Sequence, residues 1–171
     1  MSMQRDTRGD TIIEVVLAMA LLTSILFTSW SITNRATQIS EAARERTLMV
    51  DQVKQQAELI KSQWSSNPQY FKDVAATSGL DPNPCKDWPN TPVGGQAWYM
   101  KVGAGNSVGV SGPISILNVA GETNKRVWVQ KVDGTTPGQN YTDFWVRSCW
   151  INNSGSKQKQ ESTQVLLRLN T

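Results

Sequence analysis

The chain has 171 residues and a net charge of +3, with its basic residues scattered and no histidine. That length suits one domain with accessory segments, and the charge is too thin and dispersed for a nucleic-acid surface. Without histidine, Ser-His-Asp and Cys-His catalysis are excluded, and zinc or iron loses its commonest ligand. No nucleophile–base pair, metal cluster or phosphate loop stands elsewhere, so no enzyme, cofactor or metal site is expected.

In chain order, a polar leader carrying Arg5 and Arg8 ends at Gly9. Asp10-Thr11-Ile12-Ile13-Glu14 follows, and an apolar run extends to Ile32 with Glu14 as its sole charge. Such a run is long enough to cross a bilayer, which takes about 20 helical residues. A carboxylate inside it is expensive in hydrocarbon and marks a function with a partner. It is too long for the h-region of an ordinary secretory signal, and no A-x-A-like site follows promptly. No proline occurs before Pro68 and no glycine between Gly9 and Gly79. One helix is therefore expected from Glu14 to Trp64, about 75 Å at 1.5 Å per residue. Its second half carries a stripe of Ile32, Ala36, Ile39, Ala43, Val50, Val53, Ala57, Ile60 and Trp64, interrupted at Arg46. Gln38, Glu41, Glu45, Asp51, Lys54, Glu58 and Lys61 take the opposite face. That is an amphipathic helix with a stripe ready to pack on a soluble domain.

Asn67-Pro68 ends the helix, and a proline-rich loop runs to residue 96, with a short helical turn around Gln69 to Ala76. Five segments then read as strands by their β-branched and aromatic content: Ala97–Val102, Ile114–Val119, Arg126–Val132, Thr142–Ile151 and Thr163–Leu169. Hairpin loops are expected at Ala120 to Lys125 and Asn152 to Glu161, and short connections favour an antiparallel sheet. The fold class is α+β, with the second half of the helix covering one face of that sheet. Cys85 and Cys149 would form a disulfide in an exported domain, worth about 4 kcal/mol in the chain-entropy model. In a reducing compartment they would be two buried thiols. Among the seven tryptophans, Trp88, Trp98, Trp128, Trp145 and Trp150 lie in the β-rich part. Most are expected in the core, although exposed rings would suit a sugar or a partner. Asp133, Gly134, Asn140 and Asp143 surround a Gly/Pro-rich loop, but their spacing matches no defined calcium loop.

Arg8-Gly9 followed by Asp10-Thr11-Ile12-Ile13-Glu14 and the apolar stretch resembles the prepilin signal of type IV pilins and type II secretion pseudopilins. The late sequence from Trp150 through a polar loop to Ser162-Thr163-Gln164-Val165-Leu166-Leu167 resembles the last hairpin of minor pilins. The resemblance implies a leader over 1–9, a transmembrane and assembly helix over 10–33, and its amphipathic continuation over 34–66. The loop 67–96 and the sheet 97–171 would follow, the sheet forming one globular head with 34–66 in a pilin-like fold. It further implies that a prepilin peptidase cuts between Gly9 and Asp10 and methylates the new amine, making Glu14 the fifth mature residue. Implied partners are the membrane, an inner-membrane assembly platform and other pilin subunits. The implied location is a single-pass membrane protein with an exported C-terminal domain, then a cell-surface pilus. Such filaments serve adhesion, twitching motility, DNA uptake or protein secretion. The family has an apolar residue after the glycine, where this chain has Asp10. The major-pilin proline within the apolar run is also missing, with Ser29, Ser31 and Thr33 in its place. A membrane-anchored extracellular binding module with a Trp-lined surface is the alternative.

Overall fold

The computed structural model describes residues 10–77, 80–86, 96–103, 107–111, 115–133, 141–152 and 159–170, with the side chains of Asp10 and Thr11 excepted. One helix, α1, runs Asp10–Ser66 without interruption, as the absence of glycine and proline allows. The contacts divide the chain into residues 1–41 and residues 42–171. The first unit is helical throughout its described residues.

In the second unit α1 ends one residue before Asn67, and a 3-10 turn, Pro68–Phe71, follows. Among the described residues six strands come next: β1 (Met100–Val102), β2 (Val108–Val110), β3 (Leu117–Asn118), β4 (Lys125–Asp133), β5 (Tyr141–Asn152) and β6 (Lys159–Asn170). β1 and β2 form an antiparallel ribbon, while β3-β4-β5-β6 form an antiparallel sheet in sequence order. Long registers hold the sheet, with Val129 opposite Val146 and Val146 opposite Val165. The chain is thus α+β: a long N-terminal apolar helix, then antiparallel sheets.

Three strands stand where their composition places them: β4 and β5 run one residue longer at each end, and β6 starts four residues earlier and ends one later. The first half of the sheet differs. Ala97–Val102 is not one strand: Trp98 bridges Val129 of β4, and only Met100–Val102 pairs with β2. The segment changes partner within two residues. β2 itself carries Gly109 between two valines and has no strand signal of its own. Within Ile114–Val119 only Leu117–Asn118 pairs; Val119 enters a 3-10 turn that closes with Ala120 and Gly121 at φ 55° and 75°. Glycine suits that left-handed position and alanine does not. Trp88 and the centre of the β5–β6 loop lie outside the described residues.

The helical stripe is real but differently phased. Ile32, Ala36, Ile39 and Ala43 are exposed, Val50 and Trp64 are half-buried, and burial runs through Met49, Val53, Gln56, Ala57 and Ile60. Stepping back from Val53 in helical turns leads to Met49, Glu45 and Ala42. Glu45, expected on the solvent face, is half-buried because Lys125 reaches its carboxylate at 3.3 Å. The stripe packs with Phe71, Trp98, Val127, Val129, Phe144, Val146 and Trp150. Phe71 lies 5.1 Å from Phe144 and 5.9 Å from Trp98 between ring centroids.

Both faces of β4 are buried. Val127 and Val129 face the main core, whereas Trp128 joins Cys85, Ala97 and Cys149 in a second cluster. Cys85 and Cys149 are bonded, with Cα atoms 5.5 Å apart. This cross-link ties a segment with little regular structure to the sheet. Trp98, Trp128 and Trp150 are core residues; Trp145 is half-buried.

Candidate assembly segment

The functional candidates of the N-terminal unit sit on α1. Ile12, Ile13, Val15, Val16 and Leu17 are all exposed, and exposure of large apolar side chains continues through Ile32. The helix is long and apolar enough to cross a membrane, and none of its most apolar window is buried among the described residues. An apolar surface without intrachain cover needs lipid or other apolar helices around it.

The hydroxyl residues in this stretch do not contradict that setting. Thr23 Oγ1 donates to the Met19 carbonyl at 2.9 Å, Thr28 to that of Ser24 at 3.0 Å, and Thr33 to that of Ser29 at 2.9 Å. Each hydroxyl is satisfied one turn back within its own helix, which lets it sit in hydrocarbon at small cost. The helix continues without interruption through Ser29, Ser31 and Thr33.

Glu14 is the exception. Its side chain is exposed on the first helical turns and has no hydrogen-bond or ion-pair partner among the described residues. Among the described residues nothing compensates a carboxylate there, which leaves it open to water, a headgroup or another molecule. Gly9 lies outside the described residues. Asp10 is the first helical residue, and only its backbone is described.

The head holds the remaining candidates. No group of three or more His, Cys, Asp or Glu side chains could hold a metal among the described residues. Of the acidic residues around the late loop, Asp133 pairs with Lys131 at 3.2 Å and Asp143 with Arg168 at 2.8 Å; Gly134 and Asn140 are outside the described residues.

Several polar residues that composition and periodicity did not single out organise the head. The buried Gln56 side chain donates to the Met100 carbonyl at 3.2 Å and accepts from the Met100 N–H at 2.7 Å. It satisfies both backbone groups of β1's first residue, as a neighbouring strand would. The Tyr70 hydroxyl accepts from the N–H of Val110, the last residue of β2, at 2.8 Å. Arg147 lies buried on the sheet face that carries Cys149. Gln56 had one usable signal: it falls three residues after Val53, inside the packing stripe.

A scan against protein-family models, a search of curated proteins and a search of solved structures each return no match for this chain.

Proposed function

We propose that this chain is a structural subunit of a type IV pilus-like filament, with no enzymatic activity of its own. It is cleaved after Gly9, methylated on Asp10 and assembled through the apolar half of α1. The observation that carries this reading is Glu14, a carboxylate with no partner among the described residues, near the start of an exposed apolar helix and five residues beyond a glycine. After cleavage a new amine would stand four residues before it. In a bundle of parallel helices the amine of one subunit would meet the Glu14 carboxylate of another. Pairing in a low-dielectric core offsets most of the cost of burying either charge, while loss of one partner costs about 3–5 kcal/mol. Such a pair fixes the register between subunits more than it adds stability. The missing proline, Asp10 and the closing β5–β6 hairpin favour a minor subunit.

Processing is the deciding experiment. Intact-mass measurement of protein from the native cell should show loss of residues 1–9 and gain of one methyl group. An unprocessed N-terminus would overturn the proposal in favour of a simple membrane-anchored binding module.

A further inference from the structure

A second site lies in the head, on the sheet face that carries Trp128 and Cys149. The segment Leu80–Lys86 covers one part of that face through the disulfide. Beside it opens a cleft of about 250 Å³ lined by Leu80, Asp81, Pro82, Trp145, Arg147 and Gln164. Its chemistry centres on Arg147, which is only 3% exposed. Arg147 Nε donates to Gln164 Oε1 at 3.2 Å, Nη1 donates to Gln130 Oε1 at 3.1 Å, and Nη2 donates to the Asp81 carbonyl. All three acceptors are neutral. The nearby Asp81 carboxylate is engaged elsewhere, accepting from Lys86 Nζ at 2.7 Å and from the Asn83 N–H at 2.8 Å. A guanidinium withdrawn from water with no carboxylate in contact is a costly arrangement, and burial lowers its affinity for the proton. Among the described residues, two of its five N–H donors have no acceptor.

The rest of the cleft has the character of a recognition site. Trp145 is half-buried and stands opposite Leu166, which is 42% exposed, so a ring and an apolar neighbour are open together. The exposed Gln164 spends its carbonyl on Arg147, which leaves its amide N–H groups facing outward. Ligand pockets commonly combine apolar and aromatic walls with a few such polar groups. The volume lies just under the usual range of about 300–1,000 Å³ for drug-sized ligands, so it admits one small ring.

We propose that this cleft binds a carboxylated sugar residue, its carboxylate received by the Arg147 guanidinium and its ring face laid against Trp145. Guanidinium and carboxylate match in a planar, two-point geometry. A flat indole suits the C–H face of a pyranose, and the Gln164 amide would serve its hydroxyls. A peptide C-terminus would use Arg147 but would leave the Trp145 ring without a flat partner. The cleft lies within residues 80–166, so the proposal is independent of filament assembly.

The test is calorimetric titration of the full chain in detergent micelles with a galacturonate trimer, a hyaluronan tetrasaccharide and sialyllactose, each beside its methyl ester. At least one acid should bind at least about tenfold tighter than its uncharged ester, and Trp145→Ala should weaken it at least about tenfold. Arg147→Lys, which keeps the charge and loses the fork, should also weaken it; if that variant fails to fold, the ester comparison and Trp145→Ala still decide. No binding by any acid, equal binding of acid and ester, or binding indifferent to Trp145→Ala would overturn the proposal. Tighter binding of a short peptide through its free C-terminus than of every sugar would also overturn it.

Discussion

Gln56 shows how much of the head depends on single side chains bridging to backbone. It lies in the packing face of α1, yet the Met100 N–H and carbonyl that open β1 both depend on it. Gln56→Leu keeps the volume near constant and orphans two buried backbone groups. We expect a loss of about 2–3 kcal/mol in chemical denaturation of the micelle-bound chain. Asp81 gives a pH signature. The hydrogen bond from Lys86, then that from the Asn83 N–H, hold its carboxyl below the usual value of 3.8. A depressed folded value means stabilisation present above the unfolded value and lost as the pH falls through the folded one. Thermal melts should therefore show acid destabilisation below about pH 4 that is smaller in Asp81→Asn than in the parent.

Among the elements, α1 and β4 to β6 were legible because local composition and final structure agree. A run of 57 residues without glycine or proline can be one unbroken helix, and dense β-branched and aromatic residues favour long strands. The ribbon β1–β2 and the short β3 were not, because their pairing is set by distant groups: Gln56, Tyr70 and the bridge from Trp98 to Val129. The candidate site divides in the same way. Glu14 and the cysteine pair stand out as residue types in unusual places, whereas Arg147 looks like any strand arginine until the Leu80–Lys86 segment closes over it. The phase of the α1 stripe can be tested directly. Met49→Ala should cost about 2–5 kcal/mol as a core truncation, and Val50→Ala about 1 kcal/mol or less. A larger cost for Val50→Ala than for Met49→Ala in denaturant titration would restore the phase expected from periodicity.

For the molecule as a whole, one helix serves two surroundings: an uncovered apolar half, and a half packed into a cross-linked head. Glu14→Ala should separate the two. Cleavage and the melting of the head should be unchanged, within about 0.5 kcal/mol, while incorporation into filaments is lost. Purified filaments probed for the variant subunit provide the measurement, and normal incorporation would remove Glu14 from assembly. The order in which the chain is made adds a further demand. The groups that cover α1 all come later: Met100 follows Gln56 by 44 residues, and Asn170, whose carbonyl accepts from Trp64 Nε1, follows that residue by 106. At a synthesis rate of about 5–20 residues per second, the last of these contacts arrives roughly 5–20 s after its helical partner. During that interval the cover of Met49, Val53 and Ile60 is added piecemeal, from Phe71 to Trp98, Val127 and Phe144. A chain stalled before β5 lacks Phe144, Val146 and Trp150 from that cover and should be cut by proteases faster than the finished protein.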